Sequence, residues 1–247
     1  GAGISGLSAA HFFRKALGTD RKILILDNHD DFGGHAKRNE FHQGGSMRLA
    51  WGGTVNMEYP KYSEVARGLI DELGVDIPRL RESYEFNWLR TQQGLEPALL
   101  FNQSRYGRDV LLRGVILDEL EPAELAKHVD AFPLPEDARA RLRDFLLSDR
   151  DVLAGKSRAE REAWMRRTRY TDFLREHFGL PDAAIQIFSS TPSGYWGLPA
   201  ESLSVMECLW SGLPGAHVLG GLDDSGLWEN DRGSAMFPDG NSSIARL

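Results

Sequence analysis

Gly1-Ala2-Gly3-Ile4-Ser5-Gly6 spells G-x-G-x-x-G, a spacing whose chemistry is the binding of a pyrophosphate. The first glycine makes a tight turn, the second lets backbone approach the anion, and the third lets the following helix pack closely. Free N–H groups of the loop, Ser5 included, and the positive end of the helix dipole then face the phosphates. Asp27 lies 21 residues beyond Gly6, close to the ~20 at which an acid reaches the ribose hydroxyls of a dinucleotide. Its charge, with Asn28 beside it, suits a free 2′-hydroxyl and would repel a 2′-phosphate. Taken singly, these are a glycine-rich turn before an ordinary helix and an exposed strand-end aspartate; the spacing between them makes them one site.

Gly33 and Gly34 follow six and seven residues after Asp27. Successive N–H groups without Cβ obstruction form a nest for anions, although a lone Gly-Gly pair reads first as a plain turn and gains the other reading only beside the preceding fingerprint. His35 comes next, with Lys37 and Arg38 as nearby cations. His29 and His35 read as loop residues, because nothing in the sequence pairs them with a carboxylate. The segment from Gly44 to Thr54 ends in Gly52-Gly53-Thr54, small enough to bring backbone against a flat cofactor, and it reads equally as a bulged hairpin. No catalytic acid or base can be named. The single cysteine, Cys208, forms no internal disulfide, and no His/Cys spacing resembles a zinc module.

The elements that must position these residues are those of an α/β fold. Gly6, Ala10, Phe13 and Leu17 share helical spacing, and Ile23–Leu26 suits a strand buried on both faces of a parallel sheet. Tyr62, Val65, Ala66, Leu69, Ile70 and Leu73 form a second helical stripe that Gly74 stops. Glu85 to Gln103 reads as two short strands joined around Gly94. From Pro122 to His177 the chain is charged and helical, broken at Pro133 and Pro135. Its arginines, in 139–143 and 158–169, are interleaved with acids and read as solvated faces. Glu201 to Trp210 reads as a helix between loops at 191–197 and 211–215. Tyr195, Trp196 and Trp210 read as core-filling aromatics or, alternatively, as the lining of a pocket for an elongated substrate. The net charge of −7, from 29 Lys+Arg and 36 Asp+Glu, argues against a nucleic-acid partner. No apolar stretch approaches the ~18 residues of a membrane span.

The acid followed by x5-G-G resembles the second signature of the flavin amine oxidase and phytoene desaturase superfamily. More specifically, Ile23–Phe41, Leu153–Ser157 and Phe237–Leu247 are similar to the bacterial spermidine dehydrogenases, FAD-dependent polyamine dehydrogenases of the flavin amine oxidase family. The resemblance implies FAD, and haem in some members by resemblance alone. It places Gly1, Gly3, Ser5 and Gly6 at the pyrophosphate, Asp27 and Asn28 at the ribose, Gly33, Gly34, His35 and Arg38 at the phosphate turn, and Gly52, Gly53 and Thr54 at the flavin ring. Many relatives carry Arg where this chain has His35, which makes Lys37 and Arg38 substitute cations. Met236 stands where His is expected, and Leu49–Trp51 and Val55–Met57 diverge.

The implied reaction is oxidation of an amine or polyamine C–N bond by hydride transfer to the flavin, the imine then being hydrolysed; the electron acceptor is open. Alternatives are another FAD-dependent oxidase or desaturase of the superfamily, or a non-catalytic nucleotide-binding relic. The implied organisation is a doubly wound, Rossmann-like FAD domain from residues 1–60 and 233–247, with a helix-rich α+β substrate domain inserted at 61–232. A fingerprint of this kind follows a strand, and 243–247 reads as the first turn of a helix. The chain is therefore expected to be an internal segment, lacking the first strand of its sheet, inactive alone, and separated from any targeting signal, with bacterial cytoplasm or periplasm left open.

Overall fold

A computed structural model describes residues 1–59, 62–85, 88–220 and 235–247. In chain order the elements are α1 (Ile4–Leu17), β1 (Asn39–Gln43), β2 (Ser46–Ala50), α2 (Glu64–Glu72), α3 (Ile77–Ser83), α4 (Trp88–Gln93), β3 (Ala98–Phe101), α5 (Gln103–Tyr106), β4 (Val110–Arg113), α6 (Pro122–Ala126), α7 (Glu136–Leu146), α8 (Arg158–Arg167), α9 (Tyr170–Phe178), α10 (Asp182–Ile185), α11 (Ser193–Trp196), α12 (Val205–Trp210) and α13 (Ser242–Arg246). They fall into two compact units, Gly1–Asn87 with Asp231–Leu247, and Trp88–Asn230.

In the first unit, α1 starts from Gly3 in extended conformation and stops at Gly18, whose φ of +88° suits glycine. β1 and β2 form an antiparallel hairpin from Asn39↔Ala50 to Gln43↔Ser46. Its two-residue turn is Gly44-Gly45, with φ of +57° and +78°, the pair of left-handed residues that matches strand twist. The helical stripe beginning at Tyr62 becomes α2, capped by the Ser63 hydroxyl accepting from the Ala66 N–H. Ile70 of α2, Ile77 of α3, Met57 and Ala235 make a small core, and Met57 and Ala235 exchange backbone hydrogen bonds of 3.0 and 3.1 Å. α13 forms where a helix was expected to begin.

Ile23–Leu26 is not a buried strand. The segment forms no strand, and Leu24 and Leu26 are 82% and 70% exposed. A parallel strand needs a neighbour to take its N–H and C=O groups, and both sheets among the described residues are two-stranded and antiparallel. The doubly wound sheet is accordingly not seen among them.

The second unit is mainly helical, with a core built on Tyr170, Phe145, Phe173, Phe188, Leu142 and Met165, all fully buried. The Phe145 ring lies 4.8 Å from Phe178, 5.5 Å from His217 and 6.2 Å from Phe173. Pro122–His177 is helical as read, with Pro135 immediately before α7. α8 and α12 both begin with capping boxes, Ser157 with Glu160 and Ser204 with Glu207. The second box starts its helix at Val205 instead of Glu201, because Ser204 takes the N-cap.

The two strands expected around Gly94 are displaced. Trp88–Gln93 is helical and Gly94, at φ +62°, terminates it by donating to the Arg90 carbonyl. A glycine with positive φ stops a helix as readily as it turns a hairpin, and here it does the former. The hairpin comes later, β3 pairing with β4 from Ala98↔Arg113 to Phe101↔Val110. Phe86 and Asn87, inside that expectation, lie outside the described residues. Tyr195, Trp196 and Trp210 fill no core. They are 59%, 42% and 36% exposed and pack on one another at 5.3–5.4 Å. Cys208 is buried, and burial pushes its thiol up to about 12, which keeps it protonated and unreactive at neutral pH.

Arg161 of α8 ties this unit together. Its guanidinium donates two parallel 2.8 Å bonds to Asp151 and others to the carbonyls of Lys156 (3.0 Å) and Leu219. The Arg161 side chain is 12% exposed. Arg161→Ala should lower stability by about 2–3 kcal/mol, since it strands a partly buried carboxylate and two carbonyls. The Arg161 guanidinium holds the Asp151 carboxyl below its ordinary 3.8. A depressed carboxyl contributes fully above its unfolded value and loses its contribution as pH falls through the folded one. Urea denaturation should therefore show the full wild-type advantage at pH 7 and pH 5, shrinking only below 3.8.

Candidate dinucleotide site

α1 presents an open N-terminus. The Leu7 N–H to Gly3 carbonyl bond, 3.0 Å, is the first of the helix, and Gly3 has no side chain to cap the N–H groups of Ile4, Ser5 and Gly6. These groups and the dipole end suit an anion. The loop before them folds tightly because it is glycine. A Cβ at Gly6 would overlap the Gly1 carbonyl oxygen, and one at Gly34 would sit 2.9 Å from the Gly3 Cα.

Asp27 and the Gly-Gly turn close on this loop. Asp27 accepts the Ala2 N–H at 2.5 Å through Oδ2 and the His29 N–H at 3.0 Å through Oδ1. The Ala2 N–H, then that of His29, hold its carboxyl below the usual carboxylate range, so it is charged at neutral pH. The Gly33 N–H donates to the Ala2 carbonyl at 2.8 Å, and Gly3 and Gly33 form a parallel bridge. Gly33 and Gly34 have φ of +108° and +58°, the left-handed region that a residue with a Cβ avoids. Asn28 is exposed beside Asp27.

Gly52, Gly53 and Thr54 join the same cluster. A Cβ at Gly52 would overlap the Lys37 carbonyl oxygen, and one at Gly53 would meet the backbone and ring of His35. Thr54 accepts the Asn241 N–H at 3.1 Å through its carbonyl. Two buried polar atoms here, Thr54 Oγ1 and Asn241 Oδ1, have no hydrogen-bond partner.

The cations are committed elsewhere. Lys37 pairs with Asp30 at 2.9 Å, and Arg38 with Glu40 at 2.7 Å and Asp239 at 3.2 Å. Arg246 of α13 pairs with Asp31 at 3.3 Å and stands over the Phe32 ring. Asp239 is buried, which raises its carboxyl, but hydrogen bonds from Ser243, Arg38 and Ser242 outweigh burial and leave it below the ordinary value. An anion at this loop would meet backbone N–H groups more than free positive side chains.

The sequence reading missed Asp239, Ser242 and Ser243 as neighbours of the site. Arg38 and Asp239 are 201 residues apart, a span that no local spacing rule covers. Among the described residues no group of three or more His, Cys, Asp or Glu could hold a metal ion, and no helix is long and apolar enough to cross a membrane.

The glycine loop opening a helix, the acid and the second glycine turn together define a Rossmann-like dinucleotide-binding segment. Residues 1–73 match the family model of the NAD(P)-binding Rossmann-like domain. No curated protein matches the chain.

Proposed function

We propose that the protein is an FAD-dependent oxidoreductase that oxidises a C–N bond of an amine or polyamine. The observation that carries the dinucleotide part is the convergence of the open α1 N-terminus, Asp27 and the Gly33–Gly34 turn, held by the Ala2–Asp27 and Gly33–Ala2 hydrogen bonds. The second glycine turn and the glycine-walled segment at Gly52–Thr54 favour FAD over a nicotinamide cofactor. The preference for amines rests on the resemblance of 23–41 and 237–247 to the polyamine dehydrogenases.

In this reading Gly1, Gly3, Ser5 and Gly6 take the pyrophosphate on backbone N–H groups, and the absence of Cβ atoms gives it room. Asp27 accepts the ribose hydroxyls while its bonds to Ala2 and His29 fix its orientation. Gly33, Gly34 and His35 border the phosphates, and Gly52, Gly53 and Thr54 border the ring. FAD, when bound, supplies a two-electron acceptor. The chain's own task is to orient the two reactants and keep the carboxylate charged. Residues of 88–230 would contribute the substrate domain.

Titration of FAD into the full-length apoprotein, followed by flavin fluorescence, tests the cofactor. Asp27→Ala should weaken binding about tenfold or more, having lost charged acceptors for the ribose. Equal affinity in wild type and variant would remove Asp27 from the site. Anaerobic mixing with spermidine should bleach the bound flavin, whereas simple alcohols and carotenoid precursors should not. Bleaching by a non-amine alone would move the protein to another branch of the superfamily.

A further inference from the structure

Arg38 stands four residues after Gly34, where a cation would be expected to touch phosphate. Its surroundings argue otherwise. Two carboxylates already hold it: its Nε and Nη2 face Glu40 at 2.8 and 2.7 Å, and its Nη1 faces Asp239 at 3.2 Å. Its side chain is 21% exposed and that of Asp239 is 11% exposed. A guanidinium neutralised from two sides offers little to a third anion.

Asp239 is itself built in. It accepts from the hydroxyls of Ser243 at 2.5 Å and Ser242 at 3.1 Å. The residues after it lie on the third glycine segment. Gly240 packs where a Cβ would come 2.7 Å from the Thr54 carbonyl, and the Asn241 amide group donates to the Asn56 carbonyl at 3.1 Å. The turn from Asp239 to Ser243 therefore grips both the exit of the Gly33–Gly34 turn and the Gly52–Thr54 segment.

We propose that Asp239 is a positioning residue of the dinucleotide site, acting through Arg38 to hold the Gly33–Gly34 turn in register with the Gly1–Gly6 loop. The inference rests on the dinucleotide reading given above. It assigns Arg38 to clamping the turn, not to contacting phosphate, and the two roles differ in sign for a change at Asp239. Were Arg38 a phosphate ligand, neutralising Asp239 would release its charge and tighten FAD binding. As a clamp, it loses its anchor and binding weakens.

The experiment is FAD titration of full-length wild type, Arg38→Gln, Asp239→Asn and the double variant, each well below its own melting midpoint so that unfolding does not enter. Each single variant should bind FAD about tenfold more weakly, and the double variant no more weakly than either, because both break one connection. Arg38→Lys, which retains a charge for Asp239, should recover part of the loss. Unchanged or tighter binding by Asp239→Asn, beside weakened Arg38→Gln, would overturn the proposal in favour of a direct phosphate contact. If Asp239→Asn does not fold, Asp239→Glu carries the same comparison: displacing the carboxylate by one methylene weakens a clamp and leaves a phosphate contact unaltered. Wild type that takes no FAD would remove the cofactor reading and this inference with it, whereas binding by wild type with unaltered variants would remove only this one.

Discussion

Gly6→Ala should reduce FAD affinity by at least about a hundredfold, close to loss of measurable binding. A methyl group at residue 6 would overlap the Gly1 carbonyl oxygen, and neither backbone can yield alone. Gly1 and Ala2 would have to move, breaking the Asp27 and Gly33 hydrogen bonds to Ala2 that gather the site. The effect cannot come from helix propensity, since alanine is favoured over glycine within a helix by about 1 kcal/mol. Gly68→Ala in α2 is the control. A Cβ there meets nothing, so affinity should be unchanged and stability slightly increased. Titration of both variants against wild type reads the contrast, and a Gly6→Ala protein with native affinity would show that the loop does not hold the cofactor.

The largest effect on stability is expected at Phe145. Its ring is fully buried among Phe173, Phe178 and His217, in a core that also packs Leu142 and Leu174. Phe145→Ala removes the ring and leaves a cavity that three aromatic neighbours cannot easily fill, which typically costs about 3–5 kcal/mol. Urea denaturation of the full-length protein measures it through the midpoint of the transition of this unit. A loss below about 1 kcal/mol would mean that the aromatic cluster repacks freely, contrary to close-packed interiors.

The parts of the site legible in the sequence were those that depend on local backbone geometry. Gly6, Gly33 and Gly34 could be read because only glycine permits the close approaches and positive φ angles found there. Asp27 could be read because its distance from the loop is set by one helix and one crossing segment. Ile23–Leu26 misled for the opposite reason. Four branched apolar residues state that a segment is suited to pairing, and pairing depends on a neighbour that composition does not supply. Gly94 misled because a positive-φ glycine ends helices as readily as it turns hairpins. Arg38 was recognisable as a cation following the second glycine turn, but its neutralisation by Asp239 depends on a contact across 201 residues.

That contact has a consequence in time. Translation at about 5–20 residues per second separates the emergence of Arg38 from that of Asp239, 201 residues later, by about 10–40 s. For most of that interval Met57, Ile70 and Ile77 lack the Ala235 side of their core, and the second glycine turn lacks its anchor. Trp88–Asn230 meets no such delay, because its aromatic core is drawn from its own residues. The nascent chain thus completes its insert first, and the unit that flanks it closes afterwards through non-local contacts, the slow kind. On this order a dinucleotide that needs the second glycine turn would be captured at the end of folding and would not guide its beginning.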